Sequence, residues 1–133
     1  MIVRRFETAE DARAAGQTYH LTPHDVWERQ WPLDDYLPEA FDRDGFIHAT
    51  NGLALLLAVA NASYVGDPRP YLVLVVEVAR IRSEVRYDDP DKVYPHIYGP
   101  LNVDAVVGLI RVLRESDGRF SGFGDIVEAQ RGS

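Results

Sequence analysis

The sequence predicts an α+β fold: a split, mainly antiparallel, twisted β-sheet with two short helices packed against it. Three observations carry that prediction. Residues 71–78, Tyr-Leu-Val-Leu-Val-Val-Glu-Val, are almost continuously apolar and β-branched, as suits a central strand covered on both faces. Residues 51–64 place Leu53, Leu56, Leu57 and Ala60 at helical spacing, and Leu55 and Val59 broaden the apolar face, which describes a largely buried helix. Asp117-Gly118 reads as a hairpin turn between a strand over 105–113 and a final strand near Phe120.

Taken in order, residues 1–17 form an N-terminal extension, helical from Glu7 to Ala15 and closed by Gly16. Thr18-Tyr19-His20-Leu21 has the β-branched and aromatic content of a short strand. Thr22-Pro23 then supplies an N-cap and a proline at the first helical position, opening a two-turn helix over 23–30. Asp25 and Glu28 fall in its early turns, where the helix dipole favours them. Residues 31–44 mix prolines, acids and aromatics and are expected to be a loop, a candidate lid. Asp44-Gly45 is a turn into a strand over 46–48, with Phe46 and His48 on one face and Ile47 and Ala49 on the other. Thr50 or Asn51 provides the side-chain cap of the following helix. Residues 66–70 break the chain before the central strand, and the charged stretch 80–91 ends in a turn at Asp88-Asp89-Pro90-Asp91. Two prolines and a glycine around His96 make residues 93–100 a constrained loop or edge strand rather than a central strand. Gly122-Phe123-Gly124 reads as a turn. One α+β domain therefore spans 18–123, and residues 124–133 are a C-terminal tail expected to fray.

A chain of 133 residues fits one domain, and at this size about two-thirds of the unfolded surface is buried on folding. Cysteine is absent, which excludes disulfides, thiol nucleophiles and cysteine-based zinc sites. A formal charge of -7 with 14 basic residues argues against nucleic-acid binding driven by bulk charge. The opening residues lack the apolar stretch of a secretion signal, and no apolar run approaches the roughly 20 residues that cross a bilayer. A cytoplasmic protein without membrane association is expected.

Of four histidines, His20, His48 and His96 sit at strand or strand-edge positions beside aromatic and small residues. That shared setting makes them the candidate catalytic residues of one cleft. His24, at an exposed helix start, is expected to be a surface residue. His48 lies one step from a helix N-terminus, where free N–H groups and positive dipole suit a carboxylate or phosphate. Tyr19, Thr22, Arg43, Phe46, Thr50 and Tyr98 are the candidate ligand-binding residues: rings to stack on a planar group such as a nucleobase or nicotinamide, and Arg43 to fork onto a phosphate. Glu77, at a strand end, is a candidate general base. A three-histidine metal site is a rival reading, but no His-x-His or His-x-x-x-His pair supplies two ligands from one element, and no metal is expected. Gly-x-Ser-x-Gly, Walker and Gly-x-Gly-x-x-Gly motifs are absent.

The blocks Tyr19-His20-Leu21-Thr22-Pro23 with Trp27, Asp44-Gly45-Phe46-Ile47-His48-Ala49-Thr50, and Tyr94-Pro95-His96-Ile97-Tyr98-Gly99-Pro100-Leu101 resemble the DUF952 family in order and spacing. The first two blocks are also similar, more distantly, to the histidine motifs of the ADP-ribosyltransferase fold and its RNA 2'-phosphotransferase branch. That likeness implies an ADP-ribosyltransferase-like split core with a cleft for NAD or an ADP-ribosylated, nucleotide-like ligand. His20 would then hydrogen-bond one ribose hydroxyl, and His48 would orient the second ribose or a phosphate. Leu21 stands where the motif carries glycine, and no glutamate stands in the third block; His96 or Tyr98 is the substitute the chain offers. Two function classes follow: a small transferase acting on a nucleotide-like ligand, or a non-catalytic ligand- or protein-binding module that keeps the cleft. A metal-dependent hydrolase is the third.

Overall fold

The computed structural model describes residues 3–129. Helix α1 (Ala9–Ala14) is capped by Thr8, whose hydroxyl accepts from the Asp11 N–H at 3.1 Å. Strand β1 (Gln17–Pro23) runs further than the sequence suggested at both ends, so Pro23 is its last residue and helix α2 (His24–Gln30) begins one position later than expected. The stretch 31–44, read as loop, contains strand β2 (Asp35–Tyr36) and a one-turn helix α3 (Phe41–Asp44). Asp44-Gly45 is therefore a helix end rather than a free turn. Gly45 takes the left-handed conformation, φ 77°, and its N–H bonds the Phe41 carbonyl at 2.8 Å.

Strand β3 (Ile47–His48) and helix α4 (Leu53–Ser63) follow as predicted, but the cap between them does not. Neither Thr50 nor Asn51 caps α4; Gly52 occupies the N-cap position at φ 93°. The first two free N–H groups, of Leu53 and Ala54, donate instead to the carbonyls of Phe6 and Glu7, each at 3.0 Å. A Cβ on Gly52 would lie 2.7–2.8 Å from the backbone of residues 7–9, so only glycine lets the N-terminal segment come this close. Two N–H groups of this N-terminus are thus taken by the chain's own carbonyls and are not open to an anion beside His48.

Strands β4 (Tyr71–Glu77), β5 (Glu84–Tyr87), β6 (Pro95–Tyr98), β7 (Leu101–Asn102), β8 (Val106–Arg114) and β9 (Phe120–Glu128) complete the chain. The strands form a four-stranded antiparallel sheet, β1-β4-β8-β9, a three-stranded antiparallel sheet, β3-β6-β5, and the pair β2-β7. The fold is α+β with a divided, mainly antiparallel sheet. Two expectations fail here. β6 is the middle strand of its sheet, because Pro95 is the first residue of the strand, where the missing N–H does least harm, and its carbonyl still accepts from Ala49 at 3.0 Å. β9 runs through Gly122-Phe123-Gly124 and beyond, so that stretch is strand rather than turn and residues 124–128 are not frayed; residues 130–133 of the expected tail lie outside the described ones.

The continuous apolarity of β4 has a direct structural cause. Tyr71, Val73 and Val75 enter one core with Leu53, Leu56 and Ala60 of α4, while Leu72, Leu74 and Val76 enter a second with Trp27, Tyr36, Ile47 and Ile97. Alternate residues of one strand thus face two different cores. Among the described residues, no helix is long and apolar enough to cross a membrane.

Candidate ligand cleft between the two sheets

Among the described residues, the two larger sheets meet at a single backbone bridge. Tyr19 and Thr50 exchange both backbone hydrogen bonds, at 3.0 and 2.8 Å. Beyond it the sheets part. The antiparallel alternation that turns Tyr19's backbone toward β3 also turns that of Leu21, two residues on, toward the gap, and no backbone partner meets it there among the described residues. A cavity of about 120 Å³ occupies this gap, lined among others by Leu21, Thr22, Phe46, His48, Thr50, Tyr64 and Tyr71. A closed cavity of about 150 Å³ holds benzene, so this smaller one takes no more than a single ring. Adjoining it is a wider groove of about 740 Å³ that shares Ala40, His48, Thr50, Val59 and Tyr64 and adds Arg43, Asp44, Asp88, Asp89 and His96.

His48 stands where the two hollows join, its side chain 54% exposed. The β3–β6 register sets it directly opposite His96, ring centroids 5.5 Å apart. Each imidazole is held by a carboxylate: His48 Nε2 lies 2.9 Å from Asp44 Oδ2, and His96 Nδ1 lies 2.9 Å from Asp88 Oδ2. Asp88 also accepts from the Tyr98 hydroxyl at 2.5 Å. These contacts hold both carboxyls below the usual range, Asp44 through Arg43 first and then His48, to about 2, and Asp88 through Tyr98 and then His96. His48 Nδ1 and His96 Nε2 have no protein partner among the described residues, leaving each ring one nitrogen for proton exchange. Phe46 stacks on His96 at 3.9 Å and leans on His48 at 4.7 Å, fixing both rings on the outer face of the sheet.

His20 has a different role. It is 5% exposed, with Nδ1 2.6 Å from the His48 carbonyl oxygen and Nε2 2.8 Å from the Tyr36 hydroxyl, which lies 2.8 Å from Thr22 Oγ1. Burial depresses its pKa to about 4. A neutral imidazole that donates from Nδ1 must accept at Nε2, so both nitrogens are committed to protein groups. His20 lines the cavity as a fixed structural group, and the expectation that it exchanges protons with a ligand does not fit this bonding. Tyr19 is likewise withdrawn. Its ring is fully buried in the first core and its hydroxyl accepts from the Phe6 N–H at 2.8 Å.

Of the other candidates, Thr22, Phe46 and Thr50 line the cavity, Arg43 lines the groove while paired with Asp44 at 2.9 Å, and Tyr98 lies beside His96 under the Arg86 guanidinium. Glu77 is paired with Arg80 at 3.1 Å and lines neither hollow. Sequence reasoning missed Asp44 and Asp88 as partners of the histidines, and Glu39, Tyr64 and Tyr71 as cavity walls. The Asp44–His48 spacing of four was the one available signal. Among the described residues, no three His, Asp or Glu side chains gather as metal ligands.

Fold and site together define an α+β protein with a histidine-bearing cleft where its sheet divides. The chain belongs to the family described as "Protein of unknown function (DUF952)", whose model matches residues 21–109. It is similar in fold to the crystal structure of protein CC0527 from Caulobacter crescentus and to that of a double mutant of the same protein. Each is 19% identical, with a TM-score of 0.66, over 79% of this chain and 93% of that one. No curated protein matches the chain significantly.

Proposed function

We propose that the cleft binds a nucleoside-like ligand, of the kind of NAD, ADP-ribose or a phosphorylated nucleotide, and that His48 and His96 move protons at its ribose. The observation that carries this reading is a ring-sized cavity opening at His48 onto a broader groove that holds two carboxylate-bound imidazoles. A planar ring sits in the cavity, where the Leu21 N–H and C=O offer a donor and an acceptor side by side. The Leu21 side chain packs into the first core with Leu53 and Leu56, which leaves its backbone for the ligand. The ribose lies at His48, and the carboxylates of Asp44, Asp88 and Asp89 accept from its hydroxyls. Arg43 is the one guanidinium lining the groove among the described residues, and any phosphate lies toward it.

Chemically, one imidazole takes the proton of a hydroxyl or water attacking the ribose C1′ as the C1′–N bond to the ring breaks. The bonding pair stays on the ring nitrogen, nicotinamide leaves neutral without a proton, and the second imidazole orients the attacking group. Such acid–base help is worth about 10²–10⁴-fold. The test is incubation with NAD and chromatography for released nicotinamide, on the wild type, His48→Ala and His96→Ala. Release that both substitutions abolish supports a transferase or hydrolase. Binding without release, unchanged in His48→Ala, gives the second reading, a non-catalytic binding module; the absence of any glutamate from residues 93–101 favours it. No binding of NAD, ADP-ribose or nucleotides removes both.

A further inference from the structure

The ring cavity carries an electrostatic signature of its own. Its walls include the rings of Phe46, Tyr64 and Tyr71, the two tyrosines 5.6 Å apart and tilted by 45°. Among the described residues, Glu39 is the one Asp, Glu, Lys or Arg side chain that lines it. Its counter-ion, Arg69, lies outside the lining and is shared: Glu39 at 2.8 Å, Asp67 at 2.8 Å and Asp25 at 3.8 Å all press on the same guanidinium. Arg69 faces these three carboxylates and Arg29 adds its field at Glu39, so the carboxylates still outnumber the cations at the mouth of the cavity. The Tyr71 hydroxyl donates to Asp67 at 2.8 Å, which makes that ring richer in electrons. His20 adds no opposing charge, since burial keeps it neutral above a pH of about 4.

We propose that Glu39 and the aromatic walls make this cavity selective for a flat organic cation with delocalised charge, of the class of an N-alkylated pyridinium ring, over neutral or anionic rings of the same shape. Aromatic faces attract cations through their quadrupole, the more so away from water. Of the remaining lining, Leu21, Pro23, Pro38, Ala40, Leu56 and Val59 are apolar, and Thr22, Thr50 and His48 are the polar members. Such a lining disfavours a compact ammonium, which gives up strong hydration on entry, and tolerates a ring whose charge is spread and weakly hydrated. Glu39 is able to turn to the ligand because Arg69 keeps Asp67 and Asp25 when it leaves. The inference rests on the ring-binding reading of the cavity and adds the charge of the ring to it.

The experiment is calorimetric titration of the full chain with 1-methylnicotinamide, its neutral isostere nicotinamide, and nicotinate, at pH 7 and low salt. The cation binds about tenfold tighter than nicotinamide, the gain of one favourable cation–aromatic and carboxylate contact, and nicotinate binds weakest. In Glu39→Gln, its fold checked by circular dichroism, the gap between cation and neutral ring narrows to within about threefold while nicotinamide affinity holds. Equal affinities in the wild type, or an undiminished gap in Glu39→Gln, overturn the inference and leave ring binding standing. Failure of all three probes to bind overturns the inference together with the ring-binding reading.

Discussion

His20 Nδ1 lies 2.6 Å from the backbone carbonyl of His48, so the side chain of one sheet is bonded to the main chain of the other where the two separate. Its second nitrogen meets Tyr36 of a third element, β2. The imidazole is thereby the internal tie of the cleft, and the folded state favours its neutral form.

The pH dependence of stability follows from that tie. The unfolded chain protonates His20 below a pH of about 6.5, whereas the folded chain does so only near 4. Stability is full above 6.5 and falls as pH is lowered toward 4, by up to about 3 kcal/mol. Urea denaturation at stepped pH should show this slope in the wild type and its loss in His20→Gln. An equal slope in the two proteins would contradict it.

Tyr36→Phe removes the one hydroxyl between His20 Nε2 and Thr22 Oγ1. Two buried polar atoms lose their partner, at a cost of about 1–3 kcal/mol. Denaturant midpoints with an unchanged slope are the check.

Gly52→Ala places a methyl group 2.7–2.8 Å from the backbone of residues 7–9 at a φ of 93°. The N-terminal segment is pushed off α4, exposing the N–H groups of Leu53 and Ala54. A loss of about 2–4 kcal/mol is expected, with faster amide exchange at both positions. Unchanged exchange there would show that the segment does not cap the helix.

Much of the fold was legible because local rules and tertiary structure agreed. The β4 run is apolar from Tyr71 to Val76 since its two faces serve two cores, and Phe46 lies against the His48 ring at 4.7 Å although the strand itself begins only at Ile47. Where the reading failed, a distant segment had taken over a local task. Thr50 and Asn51 are good caps by residue type, but the carbonyls of Phe6 and Glu7 arrive from the other end of the domain. Pro95 speaks against a central strand until its position as first residue is known. At the site, His48 and His96 were legible as strand histidines. Asp88 was not, since only the β5–β6 register brings it beside His96, and His20 gives no sign in sequence that both its nitrogens are already bound.

Asp88→Asn keeps the size of the group that holds His96 and Tyr98 but removes its charge. Turnover at the cleft should drop by about 10²-fold with little change in KM, and the folding transition should stay in place because the pair is solvent-facing. An equal loss in KM alone would make Asp88 a binding group instead.

Arg69→Ala releases Glu39 from its bidentate contact at 2.8 and 3.2 Å. Amides of residues 39–44 should exchange faster, on the order of tenfold, while those of Leu37, clamped by Gln30 at 2.8 and 2.9 Å, stay as they are. Uniform acceleration across the domain would point to global destabilisation rather than a loosened cover.

A co-crystal with NAD at saturating concentration tests the proposed cleft most directly. The account predicts density for the ring beside the Leu21 backbone, bounded by Phe46, Tyr64 and Tyr71, with the first ribose at His48. An empty cavity, or a ligand bound on another face with His48 and His96 still open to water, would contradict it.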